Sequence, residues 1–140
     1  MSDPETRETA GALLIDIEGR FLLQRRDNVP GILYPGHIGL FGGHREGHET
    51  FLQCVSREVH EETGYRIPEN EFEQLGWYRG VHADGVNAVS ALFIAHNIPV
   101  DALTITEGSL LIVGPEDVSA LRVQMSPSAH TALEIFKGDS

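Results

Sequence analysis

Apolar and polar positions along the chain change period several times, and each change marks an element. Gly11–Ile17 (GALLIDI) and Phe21–Gln24 (FLLQ) are short apolar runs separated by Glu18-Gly19-Arg20. They predict two strands joined by a hairpin. Asn28 to Gly36 is rich in Pro and Gly and reads as a loop, followed by Gly39-Leu40-Phe41-Gly42-Gly43. From Glu49 to about Thr63 there is no Gly or Pro, and Phe51, Leu52, Val55 and Val59 recur at helical spacing. Gly64 stands where a helix commonly stops, so the segment predicts an amphipathic helix.

Beyond it, Phe72–His82 and Val86–Ala95 flank Ala83-Asp84-Gly85, a strong hairpin signal. Leu110–Val113 predicts a strand and Pro115–Leu121 a short helix. Ser126-Pro127 opens a final helix ending by Gly138, whose Ala129, Ala132, Leu133 and Phe136 should dock on the sheet. The order of elements predicts an α/β fold, a mixed sheet with helices on both faces. Residues 1–140 make one domain, with 1–9 expected as a flexible tail.

Charge narrows the partners. A formal net charge of −11 argues against nucleic-acid binding through a basic surface. It suits an anionic ligand only if that ligand meets a cation on the protein. No apolar run approaches membrane-spanning length, and the polar start MSDPETRETA lacks a signal core, so a cytoplasmic location is expected. Cys54 is the single cysteine, which excludes an internal disulfide.

The predicted helix carries the chemistry. At about 100° per residue, Glu58, Glu61 and Glu62 lie on a face adjoining the apolar stripe, at the edge of the core. Carboxylates that dense repel one another, and a hard divalent cation bound through oxygen neutralises the repulsion. The competing reading is a charged helix with i,i+4 ion pairs. Within the helix, however, no Lys or Arg stands three or four places after Glu61 or Glu62. Arg57 falls beside Glu61 and is placed to pair with a glutamate; Glu49 is expected at the helix N-terminus, favoured by the dipole. His44 and His48 are four apart but lack the zinc-protease pattern.

Residues 43–65, GHREGHETFLQCVSREVHEETGY, carry Gly43, Glu49, Arg57, Glu58, Glu61, Glu62 and Gly64 at fixed intervals. The stretch resembles the signature of the Nudix hydrolase family: glycine, five residues, glutamate, seven residues, then Arg-Glu-apolar-any-Glu-Glu-any-Gly-apolar. Tyr65 is the one departure, at a place the family usually gives to an aliphatic residue. The resemblance implies an α/β/α sandwich with a central mixed sheet. It also implies a Mg²⁺- or Mn²⁺-dependent hydrolase that cleaves a phosphoanhydride in a nucleoside diphosphate linked to another moiety.

The same resemblance implies roles for individual residues. The Gly42 carbonyl with Glu58, Glu61 and Glu62 would hold metal, and Arg57 would orient Glu58. Glu107, in Thr104-Ile105-Thr106-Glu107-Gly108, corresponds to a loop acid that ligates metal or activates water, against the plainer reading of an exposed loop carboxylate. Glu58 or Glu107 would be the base. Arg25 and Arg26, with Arg79, are candidates for the substrate's phosphates. Trp77 and Tyr78 are candidates for stacking on a base, against a core role for the tryptophan.

The implied partner is a small nucleotide-type substrate, either a nucleotide sugar or a (deoxy)nucleoside triphosphate, with no nucleic acid and no membrane. A homodimer is compatible with the family. The alternative function is a catalytically silent domain that binds a nucleotide as a sensor.

Overall fold

The computed structural model describes residues 6–138. Its strands are β1 (Arg7–Asp16), β2 (Phe21–Arg25), β3 (Ile38–Gly39), β4 (Phe41–His44), β5 (Glu73–Val81), β6 (Asn87–Ile98) and β7 (Ser109–Val113). Its α-helices are α1 (Phe51–Thr63), α2 (Val118–Leu121) and α3 (Pro127–Lys137). The main ladder runs β3-β2-β1-β6-β5, with β4 paired to β1 and β7 to β2. Among the described residues no helix is long and apolar enough to cross a membrane.

β1 is the axis of the sheet. One edge runs parallel to β6 from Arg7↔Ala88 onward. The other is shared: Thr9–Ala12 pair with β4, and Leu14 and Ile15 with β2. Side-chain alternation then divides the core. Ala10, Ala12 and Leu14 face Cys54, Val55 and Val59 of α1. Leu13 and Ile15 face Ala129 and Leu133 of α3. The sheet is mixed and covered by a helix on each side, an α/β/α sandwich.

Helix ends are set by local chemistry. Thr50 caps α1 and accepts from the Gln53 N–H at 3.0 Å, while Gln53 accepts from the Thr50 N–H at 2.8 Å. This reciprocal pair starts the helix at Phe51, the first residue of its apolar period and two residues after the start of the stretch free of Gly and Pro. Gly64 closes it at φ 69°, giving its N–H to the His60 carbonyl. The departing Tyr65 packs partly buried against the α1-side core.

Two expectations need correction. β1 begins at Arg7, so residues 7–9 belong to the sheet; the tail predicted over 1–9 otherwise lies, for residues 1–5, outside the described residues. Phe136 remains 42% exposed and meets the core edge-to-face with Phe21 at 5.4 Å.

Candidate active site

The Gly42-Gly43 segment of β4 lies against β1 where side chains do not fit. A Cβ on Gly42 would stand 2.6 Å from Gly11 Cα. A Cβ on Gly43 would stand 2.5 and 2.7 Å from the two Glu58 carboxylate oxygens. The missing side chains therefore make a slot that α1 fills with carboxylates. The Gly42 N–H donates to Glu62 Oε1 at 2.8 Å.

Glu62 is the most enclosed acid of the group, 5% exposed. Gln24, buried within the apolar run of β2, reaches its Oε2 at 3.4 Å and also donates to the Glu107 carbonyl at 2.8 Å. Burial drives the Glu62 pKa up, and a hydrogen bond and repulsion from Glu107 push the same way. Glu58 shifts upward too, chiefly through burial, although Arg57 opposes it.

Glu107 arrives on a loop stitched to the end of α1. Thr104 N–H bonds the Thr63 carbonyl at 2.8 Å and Thr106 N–H the Glu62 carbonyl at 3.0 Å. The Thr106 hydroxyl bonds the Glu61 carbonyl at 2.9 Å. These links satisfy carbonyls that the helix terminus leaves free.

Arg57 organises the opposite side. Its Nε and Nη2 grip Glu49 at 3.0 and 2.8 Å, its Nη1 holds Glu58 Oε1 at 2.9 Å, and Nη2 also bonds the His44 carbonyl at 2.9 Å. The fork drops the Glu49 pKa to about 2, mainly through the Arg57 hydrogen bonds. Glu49 thus precedes the helix and serves Arg57, whereas a place on the helix dipole was expected. The Thr50 cap takes that end of the helix.

A cavity of about 490 Å³ opens along this wall, lined by Glu58, Glu62, Glu107, Gly42, Gly43 and Arg26 among others. Glu61 is not among its lining residues; its carboxylate turns out to Arg57 at 3.3 Å and is 57% exposed. Among the described residues no three His, Cys, Asp or Glu side chains converge into a ready metal cage.

The four proposed substrate contacts divide. Arg26 lines the cavity, its Nε bonded to the Leu33 carbonyl at 2.8 Å. Arg25 does not; it bonds the Gly36 carbonyl and Gln124 instead. Trp77 stands on the α1 side, edge-on to Phe51 at 5.1 Å with Arg79 over its ring. Tyr78 stacks on His82 without reaching the cavity wall. A register shift between Gln74 and Gly76 puts a bulge into β5, and alternation beyond it turns Trp77 towards α1. Arg7, Tyr34, His82 and Gln24 were not anticipated. Only Gln24, polar inside FLLQ, left a visible signal.

A central mixed sheet thus lies between two helical layers, with an oxygen-rich acidic cleft beside a diglycine slot. The NUDIX domain profile matches residues 5–127, and the chain belongs to that family. Nudix hydrolases act on pyrophosphate bonds and generally use divalent metal ions.

The MutT protein from Methanosarcina mazei Go1 superposes with a TM-score of 0.82 at 20% identity, over 99% of this chain and 98% of that one. The NUDIX domain of Shewanella oneidensis NrtR, complexed with ADP ribose, gives 0.76 at 23%, covering 98% and 92%. A NUDIX hydrolase from Nitrosomonas europaea gives 0.75 at 20%, covering 95% and 89%. At these identities the likeness concerns the fold. Comparison with curated proteins finds no match.

Proposed function

We propose that the chain is a metal-dependent hydrolase cleaving a phosphoanhydride bond in a nucleoside diphosphate linked to another moiety. That moiety would be a sugar or, in a (deoxy)nucleoside triphosphate, further phosphate. The observation that carries the reading is the trio Glu58, Glu62 and Glu107 on one cavity wall beside the Gly42-Gly43 slot. Glu62 is buried, faces two other acids, and takes hydrogen bonds from the uncharged Gly42 N–H and Gln24 amide. An all-oxygen donor set short of positive charge fits Mg²⁺ or Mn²⁺.

Glu58, Glu62 and the Gly42 carbonyl would hold the cation, joined by Glu61, the exposed carboxylate free to leave its long contacts to Arg57. When bound, such a cation neutralises phosphoryl charge and acidifies water. The chain supplies the rest. Arg57, anchored by Glu49, fixes the rotamer of Glu58. Glu58 or Glu107 accepts the proton of the attacking water. Arg26 offers a cation to the substrate's phosphates. The cavity volume suits a nucleotide-sized ligand, and ADP ribose bound to the NUDIX domain of NrtR supports that class of substrate.

The test is hydrolysis of nucleoside triphosphates, nucleotide sugars, ADP-ribose and dinucleoside polyphosphates, with and without Mg²⁺ or Mn²⁺. Metal-dependent release of a nucleoside monophosphate, lost in Glu62→Gln, is the expected result. Binding without turnover under either metal would favour a nucleotide sensor.

A further inference from the structure

Away from the carboxylates the cavity has a second wall that the hydrolytic chemistry does not use. Arg7 stands three residues along β1 from Ala10, which pairs with Gly43, so Arg7 lies about 10 Å along the strand from the diglycine slot. The wall's residues come from two separate pieces of chain, the loop 27–37 and the β5–β6 hairpin. Tyr34 joins them. Its hydroxyl accepts the Ala83 N–H at 3.1 Å and lies within hydrogen-bond distance of His82 Nδ1 at 3.2 Å.

The ring packs edge-on against His82 at 5.5 Å and His37 at 5.7 Å. Tyr34 holds this position at φ 50°, a left-handed conformation that a bulky residue seldom adopts. Burial, and then the Arg7 charge, lower the His82 pKa. Arg7 ties the hairpin to β1 through Asp84 at 2.5 Å and leaves its Nη1 buried with no acceptor. Leu33 and Leu40 add apolar surface to the same cavity.

We propose that Tyr34 is a specificity-determining residue: clasped to His82 and Ala83, it closes the cavity as an aromatic end wall and limits the size of the substrate's planar base. An aromatic and aliphatic lining suits a flat ring, and an unsatisfied donor nearby suits a base bearing acceptor atoms. The inference rests on the hydrolase reading above and adds which moiety is measured and by what.

The test compares kcat/KM in Mg²⁺ for adenosine triphosphate and an N6-benzyl analogue whose base is enlarged and whose phosphates are unchanged. Tyr34→Ala should raise the enlarged-to-ordinary ratio about tenfold, mostly through KM. Tyr34→Phe keeps the ring but loses both hydroxyl contacts, and its ratio should fall between. Each ratio is taken within one preparation, so a partly unfolded variant does not distort it. A Tyr34→Ala ratio within about threefold of the parent overturns the proposal while leaving the hydrolase reading intact. A parent protein inactive on the whole nucleotide panel overturns the hydrolase reading, and the proposal falls with it.

Discussion

Replacing Gly43 by alanine adds one carbon where the structure has a carboxylate. The new Cβ would lie 2.5 Å from Glu58 Oε2 and 2.7 Å from Oε1. Carbon and oxygen at rest need well over 3 Å, so the carboxylate must retreat by about 1 Å. It cannot do so freely, because Oε1 is bonded to Arg57 at 2.9 Å and Arg57 is itself gripped by Glu49. A displacement of that size at a reacting group costs about a hundredfold in rate, or about 2.7 kcal/mol of transition-state stabilisation. The backbone of Gly43 is not in the left-handed region, so the fold should tolerate the change.

Gly11→Ala is the control. Its added carbon meets first the end of a flexible side chain, Leu40 Cδ1 at 3.2 Å. The assay is metal-dependent nucleotide hydrolysis for both variants, alongside their thermal midpoints. Gly43→Ala with activity within about threefold of the parent would refute the slot argument. An equal loss in Gly11→Ala would show that β1–β4 spacing, and not Glu58, is at stake.

Other expectations are as direct. Without metal, the buried Glu62 favours its protonated form, so its contribution to stability is present below the unfolded carboxylate pKa and is lost as pH rises through its elevated folded value. Glu62→Gln should therefore raise the metal-free midpoint at pH 8, flatten its pH dependence, and abolish the rise on adding Mg²⁺; an unchanged Mg²⁺ response would contradict its role as a ligand. Glu49 runs the other way: its pKa near 2 gives stability present above about pH 4.5 and lost as pH falls towards 2. Glu49→Gln should remove that acid-side slope at a cost of about 1–2 kcal/mol at neutral pH, reduced from the full shift because the pair keeps contact with water. Urea titrations at pH 3 and pH 7 measure it. Thr50→Ala breaks the capping pair and should cost about 1 kcal/mol, read from the denaturation midpoint, with hydrolysis at ordinary temperature little changed.

The helix and its acids were legible because they obey a period. Phe51, Val55 and Val59 at helical spacing placed Glu58 and Glu62 at the core's margin, which is where the slot receives them. The fold class followed from the order of strands and helices. What was hidden depends on non-local packing. Glu61 and Glu62 are neighbours in sequence, yet one is buried against Gly42 and the other is taken outward by Arg57. Trp77 could be read either as a stacking or as a core residue, and its place on the α1 side depends on the β5 bulge, which no local pattern shows. Tyr34 sits in a loop with no period at all, and its importance arises from His82 and Ala83, far along the chain. Among Arg25 and Arg26, alternation alone could not choose, since β2 ends there and both side chains are captured by the loop that follows or its surroundings.

β1 opens the fold, but the strands that complete it arrive late. Thr9 is paired on one edge with His44 and on the other with Ser90, about 80 residues on, a high contact order that makes assembly slow. A chain emerging from the ribosome would expose all of residues 43–65 well before β6 exists to brace β1 and, through it, the two glycines. Until then the glutamates proposed as ligands are dispersed charge, and the proposed cation site should form only once β6 has been made.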